Sequence, residues 1–200
     1  MSARKTVSPT RLTFQPLTPE RWADLERLFG PRGACAGCWC MWWRLPRGQW
    51  RANRGAGNRA AFKQVVEANE VPGLLAYSDR QPVGWCAVAR RDAYPSLDRS
   101  RVLARVDDQP VWSISCFFIA PTFRRRGVSA ALVRAAVDQV ARRGGGIIES
   151  YPVEPANPNS ADIYSWTGLA SSFRNAGFKE VARRSATRPI MRRTVRPKKR

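Results

Sequence analysis

The 200 residues, 44% of them apolar, suffice for one domain or a domain with tails, and such a chain buries about two-thirds or more of its unfolded surface without disulfide staples. Histidine is absent, which excludes Ser–His and Cys–His nucleophile pairs and His-ligated metal, and leaves carboxylates, Cys, Lys, Tyr or water to act as bases. The net charge is +20, and residues 183–200 hold nine bases and no acid, so the excess is greatest at the end without being confined there.

The N-terminus, Met1-Ser2-Ala3-Arg4-Lys5, lacks the apolar region of a secretory signal, and no apolar run approaches the roughly 18 residues of a membrane span. A soluble, cytoplasmic protein is expected, with a flexible segment over 1–10, a single domain over 11–195 and a basic disordered tail over 196–200. Alternation over residues 11–17 predicts a first strand. Thr18 is placed to cap a helix with Pro19 at its first position, and Gly30 to stop it. A loop rich in Gly, Cys and Trp runs to Gly57. A second helix is expected over Asn58–Glu70, with Ala61, Phe62, Val65 and Val66 on its apolar side.

Two strands, 74–77 and 83–89, flank a hairpin turn over Asp79-Arg80-Gln81-Pro82. After a polar loop over 90–110, Val111 to Ile119 reads as a strongly apolar strand. A helix over 127–143, a strand over 147–153, a helix around 167–176 and a closing strand pair over 178–184 and 189–195 complete the chain. The order β-α-α-β-β-β-α-β-α-β-β predicts a layered α/β domain: a mixed, mostly antiparallel sheet of about six to seven strands with helices on both faces.

One junction carries chemistry. Strand 111–119 ends at Pro121, a basic turn follows, and Gly127 opens a helix. The first N–H groups of a helix lack internal partners and its dipole favours negative charge there, so strand, basic turn, Gly and helix make an anion site. The run Arg124-Arg125-Arg126-Gly127-Val128-Ser129 resembles the acetyl-CoA motif of the GNAT acetyltransferases, Arg/Gln-x-x-Gly-x-Gly/Ala, with Ser129 as a slight departure. The element order resembles that family from end to end.

The resemblance implies an N-acetyltransferase that moves acetyl from acetyl-CoA to an amine by direct attack on the thioester. It implies that the backbone of Arg126, Gly127, Val128 and Ser129 faces the pyrophosphate, with side-chain bonds from Arg124, Arg125 and Arg126. Main chain near Phe118 and Ile119, with Phe117, would hold the pantetheine arm and orient the carbonyl. Strands 111–119 and 147–153 would splay around the cofactor.

Two of the family's usual proton handlers are missing. The Tyr that many members carry four residues before a Gly-Phe pair is Phe173 here, before Gly177-Phe178, and strand 111–119 has no carboxylate, only Ser113, Ser115 and Cys116. Glu149 and Tyr151, two apart on one strand and so on one face, are the candidate base and acid. A surface-facing pair is the alternative. Asp162, Tyr164, Ser171, Ser172 and a water chain remain further candidates.

The run Cys35-Ala36-Gly37-Cys38-Trp39-Cys40-Met41-Trp42-Trp43-Arg44 resembles, with Trp112 to Phe117 and Tyr151 to Val153, a bacterial subgroup of that family. By its place in the family fold the loop would border the acceptor site, with Trp39, Met41, Trp42 and Trp43 as an aromatic wall and Arg44 holding an acidic group; core packing is the other reading. No metal is expected, since Cys35, Cys38 and Cys40 have neither a second close pair nor His. The expected acceptor is a small-molecule or peptide amine whose identity the sequence leaves open. Nucleic-acid binding through the basic C-terminus is the alternative function. Monomer and homodimer both stay open.

Overall fold

The structure is a computed structural model that describes residues 12–155 and 165–198. The expected flexible segment 1–10, the candidates Asp162 and Tyr164, and residues 199–200 lie outside the described residues. Seven strands form one sheet: β1 (Leu12–Pro16), β2 (Gly73–Ser78), β3 (Gln81–Arg90), β4 (Val111–Ile119), β5 (Gly146–Ser150), β6 (Lys179–Arg183) and β7 (Pro189–Val195), in the order β1-β2-β3-β4-β5-β7-β6. Only β4 and β5 pair in parallel; the other neighbours are antiparallel. Among the described residues five α-helices accompany them: α1 (Trp22–Phe29), α2 (Arg47–Ala52), α3 (Ala56–Glu67), α4 (Val128–Arg142) and α5 (Ala170–Arg174).

Helices cover both faces, as expected. On one, Leu132, Val133, Ala136 and Val140 of α4, with Phe173 and Phe178 around α5, pack on Leu74, Val88, Ile114, Phe117 and Ile148. On the other, Leu25 and Phe29 of α1 and Phe62 and Val66 of α3 pack on Leu75, Trp85 and Ala87. Tyr94, Leu97 and Leu103 from the segment after β3 extend this second face over Ala89, Tyr151 and Ile190. Every residue of β2, and all of β3 but its ends, is therefore buried, so these strands read as apolar runs.

Local departures from the expected elements have physical causes. Thr18 makes no cap; its Oγ1 accepts from Arg21 Nη1 at 3.0 Å, and a 3₁₀ turn, Pro19–Arg21, precedes α1. Gly30 does stop the helix, its N–H reaching Glu26 O at 2.9 Å. The β2–β3 hairpin turns on Asp79 and Arg80 alone, both left-handed (φ 45° and 68°), the geometry that matches strand twist in two-residue loops. β5 ends at Ser150, short of the expected 153. Residues 196–198, at the start of the expected tail, run beside α4: Lys198 N–H donates to Ala141 O at 2.9 Å.

Candidate active site

β4 and β5 pair only from Val111↔Ile147 to Ile114↔Ser150. β5 ends there, and β4 continues to Ile119 paired with β3 alone, leaving a gap on its β5 side. A bulge leaves Ser115 without a partner on β3, because Ala87 pairs with Cys116 and Val88 with Ile114. Such a bulge re-aims the side chains beyond it: Phe117 turns into the α4 layer, and Phe118 meets Phe29 on the opposite face at 5.4 Å. Ala120 N–H donates back to Val83 O on β3, whereas Phe117 N–H donates outward to Trp166 O at 2.6 Å. N–H directions alternate along a strand, so Ile119 aims its own toward the gap.

Beyond Ile119 the chain makes a 3₁₀ turn over Pro121–Phe123 and reaches the three arginines. Arg125 (φ 58°) and Gly127 (φ 76°, ψ 5°) are both left-handed, and Gly127 is the residue before α4. Ala131 N–H closes the first helical bond on Gly127 O at 3.0 Å, which leaves the N–H groups of Val128, Ser129 and Ala130 without helical partners. A Cβ built on Gly127 would meet nothing within 4 Å, so the space before the helix is open. Arg124, Arg125 and Arg126 are exposed and, among the described residues, form no ion pair. Arg124 Nε reaches Ile119 O at 3.3 Å, and the Arg126 guanidinium lies 5.4 Å from the Phe123 ring centroid. An open helix N-terminus with free cations at the mouth of a strand gap fits a diphosphate linked to a slender arm.

The tryptophan loop divides in two. Trp39 and Met41 are core residues, a correction to the expected wall. Trp39 stacks on Trp22 at 6.0 Å and tilts against Phe29 at 5.6 Å, seated on Gly33, where a Cβ would lie 2.0 Å from its Nε1. Trp42 and Trp43 instead join Trp50 and Trp166: Trp42 stands nearly perpendicular to Trp43, Trp50 and Trp166 at 6.2, 4.8 and 6.5 Å, and Trp43 lies 5.9 Å from Trp166. Because Trp166 O holds the Phe117 amide, this half-exposed cluster borders the gap. Arg44 points inward, its guanidinium 4.8 Å from the Tyr94 ring centroid, with Glu70 at 4.0 Å.

Glu149 and Tyr151 share a face, as their spacing predicts, but not a surface one. Tyr151 OH donates to Glu149 Oε1 at 2.7 Å and meets Ser113 Oγ at 2.8 Å. Arg91 Nη1 reaches Glu149 Oε1 at 2.8 Å and Tyr151 OH at 2.6 Å; Arg192 Nε takes Glu149 Oε2 at 2.7 Å and its outer nitrogens hold Asp107. Burial, with the Glu149 charge beside it, pushes the Tyr151 phenol far above its ordinary range. Both carboxylate oxygens of Glu149 are thus engaged, and the network ties the segment after β3 to β5 and β7. Phe173 is fully buried, edge-on to Phe117 at 6.1 Å and Phe178 at 5.1 Å. Ser171 is exposed and Ser172 half-buried on α5.

Trp50, Trp166, Arg91 and Arg192 escaped sequence reading. No spacing rule links Arg91 or Arg192 to Glu149; the Trp-rich composition was the one available signal for the others. Among the described residues no three potential ligand side chains gather as a metal site, and all five cysteines are free.

The sequence profile of the acetyltransferase (GNAT) family matches residues 39–168. A comparison with curated proteins found no match. Among solved structures, a GNAT-family acetyltransferase from Listeria monocytogenes is 8% identical with a TM-score of 0.55, over 92% of this chain and 95% of that one. The PaiA N-acetyltransferase from Thermoplasma acidophilum in complex with coenzyme A is 13% identical with a TM-score of 0.50, over 92% and 99%. At these identities the likeness is one of fold.

Proposed function

The chain belongs to the acetyltransferase (GNAT) family, and from that premise we propose that it is an acetyl-CoA-dependent N-acetyltransferase acting on a small-molecule or peptide amine. The observation that carries the proposal is the alignment of three features: the gap beside β4 where its pairing with β5 ends, the Ile119 N–H aimed into it, and the open N-terminus of α4 behind Arg124, Arg125 and Arg126. Acetyl-CoA would supply the activated acetyl group, which the acceptor nitrogen attacks directly.

In this reading the N–H groups of Val128 and Ser129, with Arg126 and Gly127, bind the pyrophosphate. The three arginines add charge-assisted bonds. Phe118 and Ile119 lend main chain to the pantetheine arm, and a donor fixed on a sheet costs little reorganisation when it meets developing negative charge. Trp42 and Trp43, joined by Trp50 and Trp166, wall the acceptor side. Glu149 and Tyr151 act as positioning residues, so protons leave through water, and a thiolate leaving group of low basicity needs no dedicated acid.

The Cys-Trp-Cys-Met-Trp-Trp-Arg run supports membership of the bacterial subgroup, and a cytoplasmic setting suits the free thiols. The alternative, nucleic-acid binding, has the +20 charge in its favour. Calorimetry tests the reading: micromolar CoA binding by the wild type and its loss in Gly127→Glu support it, and a folded wild type that ignores CoA ends it.

A further inference from the structure

Residues 28–66, which include the tryptophan loop and α2, carry seven bases and no acid. Three of these bases are answered by acids outside the run: Arg59 by Glu26, Lys63 by Glu67, and the sealed Arg44 by Glu70. Arg54 Nε is held by Ala36 O at 2.8 Å. Arg47 and Arg51 have no carboxylate partner among the described residues. They stand four apart on α2 and so share a face, where like charges oppose the helix. No acid in α2 offsets them. What anchors α2 is Trp50, nearly perpendicular to Trp42 at 4.8 Å, with its carbonyl held by Asn58 Nδ2 at 3.2 Å. The Arg47 guanidinium lies 5.1 Å from the Trp42 ring centroid. Both cations are exposed at the rim of the tryptophan cluster.

Another cation approaches the cluster through Trp166. Arg188, the residue before β7, donates from Nη1 to Thr167 Oγ1 at 3.2 Å, and the fully buried Thr167 directly follows Trp166. Arg188 is half-buried, so it stays reachable from solvent, and it too has no carboxylate partner among the described residues. Burial holds its guanidinium below the ordinary range. The acids on neighbouring segments are taken. Glu154, whose N–H donates to Thr187 O at 2.8 Å, is bound by Arg174 and Arg183, and Glu149 by Arg91 and Arg192. Those four arginines are paired; the one tied to the residue after Trp166 is not. A partly desolvated charge with no counter-charge is costly to a fold, and a ligand that supplies the counter-charge removes that cost.

We propose that the acceptor is an amine that also bears a carboxylate, seated on the tryptophan cluster and held by Arg188, with Arg47 and Arg51 drawing it in from the rim. The inference rests on the acetyl-transfer reading and narrows its acceptor. Trp42 and Trp166, the rings next to Arg47 and Thr167, are 6.5 Å apart, so the cations border one aromatic surface. A carboxylate accepts at both oxygens and matches the planar guanidinium fork. Arg44, expected from sequence to hold an acidic group, is sealed against Tyr94 and leaves that task to Arg188. With the acid anchored beside Trp166, the amine lies toward the gap that Trp166 borders. There the acceptor nitrogen bonds to the acetyl carbon, the C–S bond breaks, and the proton that nitrogen gives up ends on the departing sulfur. The products are an acetamide and a free thiol.

The test uses the full chain, with thiol release from acetyl-CoA as the readout. One arm compares β-alanine and γ-aminobutyrate with their carboxamides; the other compares the peptide Ala-Asp-Glu with Ala-Asn-Gln. At least one acid should exceed its amide about tenfold in kcat/KM, and the arm in which it does so tells a small acid from an acidic peptide. Arg188→Gln should erase that preference through KM with kcat retained, Arg188→Lys should restore part of it, and neither should lower the melting temperature. If Arg188→Gln does not fold, the exposed pair Arg47→Gln and Arg51→Gln, which should raise KM for the acid alone, takes its place. Equal turnover of acid and amide, a preference that survives Arg188→Gln, or a wild type that binds CoA yet acetylates none of the three acids overturns the proposal. A folded wild type that ignores CoA in calorimetry ends the acetyl-transfer reading, and this inference with it.

Discussion

Arg91 sets Nη1 2.8 Å from Glu149 Oε1 with both side chains almost wholly sealed, 3% and 1% exposed. Removing one member of a buried pair strands the other's charge. Glu149→Gln should therefore cost about 3–5 kcal/mol in denaturant unfolding, since Arg91 and Arg192 both lose their shared carboxylate. A variant of unchanged stability that has lost acetyl transfer would instead make Glu149 a base.

Arg192 also holds Asp107, and its guanidinium pulls that carboxyl down to about 2. A carboxyl depressed in the folded state stabilises above its unfolded value near about pH 4 and ceases to do so as pH falls through about 2. The wild type should lose stability across that window more steeply than Asp107→Asn. Urea midpoints measured from pH 5 to pH 2 check this, and parallel curves for the two proteins count against it.

Phe173, four residues before Gly177, has its ring enclosed by Phe117 and Phe178, and a Cβ on Gly168 would lie 2.8 Å from it. A hydroxyl added there is buried without a partner. Phe173→Tyr should lose about 1–3 kcal/mol, a melting temperature lower by roughly 2–12 °C, with no gain in turnover. Faster acetyl transfer at undiminished stability would show that the ring edge meets the leaving thiolate.

At Gly127 the obstacle to a side chain is backbone conformation, since the space around it is open. Gly127→Ala should cost about 1–2 kcal/mol from the left-handed φ alone and weaken CoA binding only as far as the turn shifts. Gly127→Glu should abolish binding through its charge at an anion site. Thermal unfolding and calorimetry on the two variants separate strain from repulsion; equal losses of CoA affinity would mean that the turn itself is what binds.

The strands and α4 were legible because burial imprints its period on them: two-sided burial makes β2 and β3 apolar runs, and α4 shows its stripe at Val128, Leu132, Ala135 and Val140. α2 was not, because Arg47-Gly48-Gln49-Trp50-Arg51-Ala52 buries no residue fully and so carries no stripe. The basic turn before α4 could be read from Arg124 to Ser129 as a contiguous run. The fates of Trp39 and Trp42 could not, since they part at a left-handed turn imposed by Gly33, Gly55 and Asn58. Glu149 and Tyr151 were correctly set on one face, but their partners Arg91 and Arg192 are 58 and 43 residues distant in sequence.

Where β4 leaves β5, the sheet acquires an edge in its middle. An outer edge such as β6 is open to any strand that approaches, including one from another copy of the chain. The edge of β4 past Ile114 is flanked on both sides by its own sheet, and Trp166 already occupies its first rung at Phe117. In the proposed reading, a narrow chain bearing a carbonyl takes the next rung, at Ile119. If the proposed reading holds, unpaired backbone there favours a thin, amide-bearing ligand before any side chain is consulted.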